Sequence, residues 1–103
     1  MVYVVATVSL KPGVMPQYLE LFAANRKLVL AEDGCIDYTP TCDLPTGLAA
    51  QGEIRADTVV ICEKWESLEA LRAHLAAPHM AVWRENVKDL VVSVKLQVTK
   101  TAS

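Results

Sequence analysis

Residues 62–80 read CEKWESLEALRAHLAAPHM, and the backbone they imply changes character twice. Up to Trp65 the side chains alternate as on a strand. Thr58 to Trp65 puts Val59, Ile61, Glu63 and Trp65 on one face, and Thr58, Val60, Cys62 and Lys64 on the other. Ser67 is placed to cap a helix, and Glu66 and Glu69 suit the positive end of its dipole. That helix runs to about Ala76. Pro78 suits a first helical turn, where its missing N–H leaves no bond unmade. A further helix is therefore predicted from Pro78 to about Leu90.

Toward the N-terminus, Val2 to Leu10 (VYVVATVSL) is a β-rich run, ended by the turn residues Lys11-Pro12-Gly13. Val14 to about Ala31 has helical spacing: Tyr18, Phe22 and Val29 recur at i, i+4 and i+11, with Leu21 and Leu28 beside them. Asp33-Gly34 stops this helix. Cys35 to Cys42 reads as a second strand, with Pro40 assigning it to an edge or a bulge. Leu44 to Ala56 has no apolar period and is long for a hairpin connection. Toward the C-terminus, Val91 to Val98 alternates and forms a fourth strand. Residues 1–99 are expected to be the folded core of one domain spanning 1–103, and 100–103 a frayed tail.

The order β-α-β-β-α-β, with the second helix broken at Pro78, is the ferredoxin-like split βαβ pattern of the α+β class. It implies an antiparallel sheet with helices on one face. The first and third strands, however, carry apolar residues on both faces. A sheet with one face in water would alternate more cleanly. The second face is therefore expected to be covered by another copy of the chain, giving a dimeric α+β barrel.

Bulk properties narrow the function. With 52% apolar and 21% charged residues and a net charge of −2, the chain is globular and has no basic stripe to meet nucleic acid. No apolar run approaches the ~18 residues of a membrane span, and the start MVYVVATVSLKPG does not resemble a signal peptide. The spacing of Cys35, Cys42 and Cys62 fits no zinc pattern, so they read as reduced thiols in a cytoplasmic protein. The glycines are isolated and form no phosphate-binding loop.

Several polar residues stand where apolar ones are expected. His74 shares a helical stripe with Leu71, Leu75 and Pro78 and should face the sheet, toward Glu63 and Trp65. A carboxylate beside an imidazole fixes its tautomer and serves acid–base chemistry; it can equally be a structural hydrogen bond. His79 opens the next helix, facing either a pocket or solvent. Asn25 interrupts the first helix's apolar stripe and needs a partner: a ligand, Glu63, His74 or backbone. Trp65 and Trp83 supply core packing or the wall of a flat ligand site. Arg26 and Tyr38 read as surface and strand packing.

The segments LKPG, AEDGCIDY and CEKWESLEALRAHLAAPHM, with the Val-rich last strand, together resemble the antibiotic biosynthesis monooxygenase (ABM) family of small dimeric α+β barrel proteins. The Leu44–Ala56 loop is longer than is usual there. The resemblance implies a ligand site between sheet and helices, in a family that includes cofactor-independent monooxygenases of aromatic polyketides or quinols, haem-degrading oxygenases and a sugar-phosphate isomerase. The haem-degrading branch expects Asn, Trp and His where this chain has Ala6, His74 and about Arg84. Haem is therefore not expected, nor are flavin or metal. The resemblance implies a homodimer oxidising a quinol-like aromatic with dioxygen. His74, Glu63 and Asn25 would be catalytic, and Trp65, His79, Trp83 and Tyr38 would bind substrate. A proton-transfer isomerase on a small carbonyl compound and a non-catalytic ligand-binding dimer are the alternatives.

Overall fold

A computed structural model describes residues 1–103. The elements run β1 (Val2–Leu10), α1 (Met15–Leu30), β2 (Cys35–Thr41), β3 (Thr58–Trp65), α2 (Leu68–Ala76), α3 (Pro78–Val87) and β4 (Val91–Lys100). The strands form one antiparallel sheet in the order β2-β3-β1-β4. No helix is long and apolar enough to cross a membrane.

Register sets which side chains meet. Val4, Ala6 and Val8 lie opposite Glu63, Ile61 and Val59, and all six are buried. This is the face the helices cover. α1 lays Tyr18, Phe22, Asn25 and Val29 on it, α2 contributes Leu71 and His74, and α3 adds Met80, Trp83 and Val87. The opposite face starts from Tyr3, Val5, Cys62 and Lys64. Tyr3, Val5 and Cys62 are exposed there, with the Lys64 ammonium 5.5 Å from the Tyr3 ring centroid.

The turn from α1 into β2 decides where the polar residues gather. Gly34 has φ +82°, and an added Cβ would lie 2.6 Å from Cβ of Ala70. Its carbonyl also accepts from the Glu66 N–H at 2.9 Å. Glycine thus lets the end of α1 approach the start of α2. Gly34→Ala is expected to destabilise the fold by about 2 kcal/mol, from left-handed backbone strain with the contact added. Chemical denaturation checks this; an unchanged midpoint would show that the turn tolerates a side chain.

Ser67 caps α2 as its position suggests, Oγ accepting from Ala70 N–H at 3.1 Å. Ala77 then takes an extended conformation (φ −64°, ψ 139°) between α2 and α3. The residue before a proline is pushed out of the helical region, so Pro78 breaks one long helix into two. His74, late in α2, and His79, early in α3, end up on either side of this corner.

The boundaries of α1, β2, α3 and β4 differ from expectation, α1 by one residue at each end. β2 stops at Thr41 rather than Cys42, on the sheet edge where Pro40 is tolerated. α3 ends at Val87, because Lys88–Leu90 tighten into a turn closed by Leu90 N–H on the Val87 carbonyl. β4 runs to Lys100, paired with Val2, so the tail is shorter than 100–103. Val94, Leu96 and Val98, opposite Val8, Ala6 and Val4, remain about half exposed on this outer strand. The long connection after β2 is braced by Arg55, whose guanidinium and backbone N–H all bond Asp43 at 2.8–2.9 Å.

Candidate functional site

Between the sheet and the helices lies a cavity of about 430 Å³. Ala6, Val8 and Ile61 line it from the sheet, and Met80, Trp83 and Val87 from α3. Val94 and Leu96 border it where β4 extends past the helices. Its polar groups are few: Glu63, His74, Tyr18 and Tyr38, with Arg84 and Lys88 also in the wall. Arg84 and Lys88 are exposed residues while the other four are buried, so the cations stand at the rim.

His74 is only 2% exposed. Its Nδ1 lies 2.8 Å from Oε2 of Glu32. Its ring packs on Trp65 with centroids 4.6 Å apart and meets Tyr38 edge-on at 5.4 Å. Burial lowers its pKa below the ordinary histidine value; His79 and Arg84 act the same way, and the Glu32 carboxylate opposes them. The ring is thus held neutral near pH 7, as a base must be before it acts.

Glu63 behaves in the complementary way. Burial pushes its carboxyl up to about 7, with a smaller upward push from Glu32, against the Trp65 hydrogen bond, which favours the charged form. That bond runs from Trp65 Nε1–H to Oε1 at 2.9 Å. A carboxyl that gains and loses its proton near neutrality, in a cavity with a neutral imidazole, gives an acid and a base in one space.

The expected Glu63–His74 pair is not formed. Glu63 and Trp65 share a strand face two residues apart, so the indole N–H reaches the neighbouring carboxylate first. His74 instead meets Glu32, delivered by the end of α1. Sequence reasoning passed over Glu32, although one signal was available. A carboxylate just beyond a helix C-terminus faces the negative end of the dipole and is disfavoured unless partnered.

Asn25 does not face this cavity. Its Nδ2 donates to the Met80 thioether at 3.5 Å, which accounts for an amide within an apolar stripe. It lines a separate groove between α1 and α3 with Leu28, His79 and Val82. His79 is likewise outside the cavity wall, 25% exposed, with Nε2 3.0 Å from Oε2 of Glu32. Trp65 is fully buried and sits behind His74 rather than in the wall. Trp83 borders both hollows. Tyr38 lines the cavity, its ring stacked on Phe22 at 5.4 Å, while Arg26 holds its carbonyl.

Tyr18 is a second residue passed over, because its place in the helical stripe marks it only as core. Burial raises the pKa of both Tyr18 and Tyr38, so both stay protonated. No buried polar side-chain atom lacks a partner, and neither hydroxyl bonds within the protein, so both reach open cavity space as free donors. No group of three His, Cys, Asp or Glu side chains is arranged to hold a metal. The three cysteines are free, and burial, helped by the Glu32 charge, pushes the Cys35 thiol up to about 11, which makes it unreactive.

The family model described as "Antibiotic biosynthesis monooxygenase" matches residues 1–86. A probable quinol monooxygenase, YgiN, of Escherichia coli K12 is 35% identical over 100 residues, covering 95% of each chain. Among solved structures, one from Deinococcus radiodurans superposes with a TM-score of 0.81 at 24% identity, covering 100% of this chain and 94% of that one. Rv0793 from Mycobacterium tuberculosis superposes with a TM-score of 0.77 at 25% identity, covering 99% of this chain and 95% of that one. The Deinococcus likeness speaks for the fold alone.

Proposed function

Because the chain belongs to the antibiotic biosynthesis monooxygenase family, we propose that it is a monooxygenase oxidising a quinol or similar electron-rich phenol with dioxygen. The observation that carries this reading is the buried His74 at the wall of a mostly apolar cavity, with its Nδ1 engaged outside that cavity by Glu32. The remaining ring nitrogen, Nε2, is then free to take the proton of a substrate hydroxyl.

The reduced substrate supplies the electrons. Loss of the hydroxyl proton to His74 leaves an electron-rich anion. It passes one electron to dioxygen, and the two radicals join through a new C–O bond as a ring peroxide. Cleavage of the O–O bond, with loss of the ring proton, sends one oxygen out as water and keeps the other in the product. For a simple quinol the balance is quinol plus dioxygen to hydroxyquinone plus water. Glu63 in its protonated form supplies a proton to the departing oxygen, and the Tyr18 and Tyr38 hydroxyls bind the ring oxygens. Trp83 walls the aromatic body. A cavity of about 430 Å³ is within the range of small-molecule sites, roughly 300–1,000 Å³.

An oxygen electrode with a panel of naphthoquinols and benzoquinols tests the activity. Oxygen consumption above autoxidation, with one oxygen atom from labelled dioxygen in the product, is the expected result. Turnover of a carbonyl substrate that proceeds equally under argon would favour proton-transfer isomerisation by the same His74 and Glu63.

The reading includes a homodimer. The exposed Tyr3 and Val5 on the outer sheet face, and Val94, Leu96 and Val98 on the outer strand, are surface that a second copy would cover. Three unpaired thiols suit a reducing compartment such as the cytoplasm.

A further inference from the structure

We propose that Glu32 is the positioning residue for His74, held to that task by His79, so that the three side chains form an imidazole–carboxylate–imidazole bridge meeting at one oxygen. The proposal rests on the reading of His74 as the base, and adds what makes it one. Nδ1 of His74 and Nε2 of His79 approach the same Oε2, at 2.8 and 3.0 Å. A carboxylate can only accept, so both nitrogens carry protons. For His74 this places the proton on Nδ1 and leaves Nε2 bare.

No other group near His74 can do this. Glu63, the carboxylate that lines the cavity, accepts from the Trp65 indole and makes no bond to His74. Trp65 and Tyr38 meet the imidazole with their rings, which restrain its plane but do not choose its tautomer. Arg84, which also faces His74 electrostatically, gives its guanidinium to the Leu75 carbonyl and has no acceptor to offer.

The bridge also explains the architecture around it. Glu32 follows the C-terminus of α1, where the helix dipole disfavours a carboxylate, and its side chain is only 14% exposed. Two N–H donors, one from each helix flanking Ala77, offset that cost. An unbroken helix would carry residues 74 and 79 about 140° apart around its axis, at 100° per residue, too far around for both to point at one atom. The break before Pro78 is what lets them converge. As His74 takes up the substrate's proton, the same carboxylate stabilises the imidazolium that forms.

The test reads the tautomer directly, without substrate. Long-range ¹H–¹⁵N correlation spectra of labelled protein at pH 8 are expected to show His74 protonated on Nδ1. Glu32→Leu is expected to move the population toward the Nε2–H form and to lower quinol-dependent oxygen uptake roughly 10- to 100-fold through kcat, with KM changed less than about twofold. Glu32→Gln, which keeps an acceptor oxygen, is expected to restore much of the Nδ1–H signal. A wild-type Nε2–H tautomer, an unchanged tautomer in Glu32→Leu, or a loss confined to KM would each overturn the assignment. Should Glu32→Leu fail to fold, Glu32→Asp decides, because it withdraws the carboxylate by one methylene; an unaltered His74 spectrum there refutes the bridge. If wild type oxidises no quinol, the functional reading fails, while the spectra still decide the role of Glu32.

Discussion

His74→Ala is expected to lower quinol-dependent oxygen uptake by roughly 10²- to 10⁴-fold, the range a positioned general base contributes. The loss should fall on kcat, because the apolar walls and the Tyr18 and Tyr38 hydroxyls proposed to bind the ring are untouched. The substitution also removes a ring packed on Trp65 and Tyr38, so the fold should weaken by about 2–4 kcal/mol, as for other large-to-small core changes. The two effects separate experimentally. Oxygen uptake is measured well below the melting temperature, and exogenous imidazole is then added to the space left behind. Partial rescue by imidazole, rising with its unprotonated fraction, marks lost chemistry rather than lost structure. Uptake equal to wild type would remove His74 from the mechanism.

The architecture was legible because it rests on periodicity. The β-rich run Val2–Leu10, the two-residue period of Thr58–Trp65, the stripe Tyr18, Phe22 and Val29, the Ser67 cap and the Pro78 break are local signals, and the structure follows each of them. They also place Glu63 and His74 on the helix-covered face, because facing is a local property. Partnership is not. Whether His74 meets Glu63 or Glu32 depends on how closely the end of α1 approaches α2, and that distance is set by one glycine contacting Ala70. The same limit applies to Asn25. Its stripe position correctly implies burial, but its partner, Met80, lies 55 residues away on another helix. Tyr18 was hidden for the opposite reason: a tyrosine in an apolar stripe reads as core, and only the shape of the cavity shows that its hydroxyl is free.

Glu63→Gln is expected to stabilise the fold at alkaline pH while impairing the reaction. The sign follows from the direction of the shift. Burial raises this carboxyl from 4.5 to about 7, so between those values the folded chain holds a proton that the unfolded chain has released. Stability from this group is therefore fully present below pH 4.5 and is lost as pH rises through about 7. At 1.36 kcal/mol per pH unit, the loss reaches at most about 3 kcal/mol. Glutamine has nearly the same shape, keeps an oxygen to accept from the Trp65 indole, and never ionises. Its advantage over wild type should be small at pH 4.5 and grow to its full size by pH 8. His74 does not confuse the comparison: its lowered pKa makes stability rise with pH up to the ordinary histidine value, and it is present in both proteins. Urea midpoints for the two proteins at pH 4.5, 6 and 8 measure the difference. A gap that stays constant across that range would mean that Glu63 ionises as freely in the fold as outside it. Oxygen uptake by Glu63→Gln should meanwhile fall about tenfold or more, since the amide cannot supply a proton to the departing oxygen. Higher stability with lower turnover in one variant would identify Glu63 as a group that costs the fold free energy and serves the reaction.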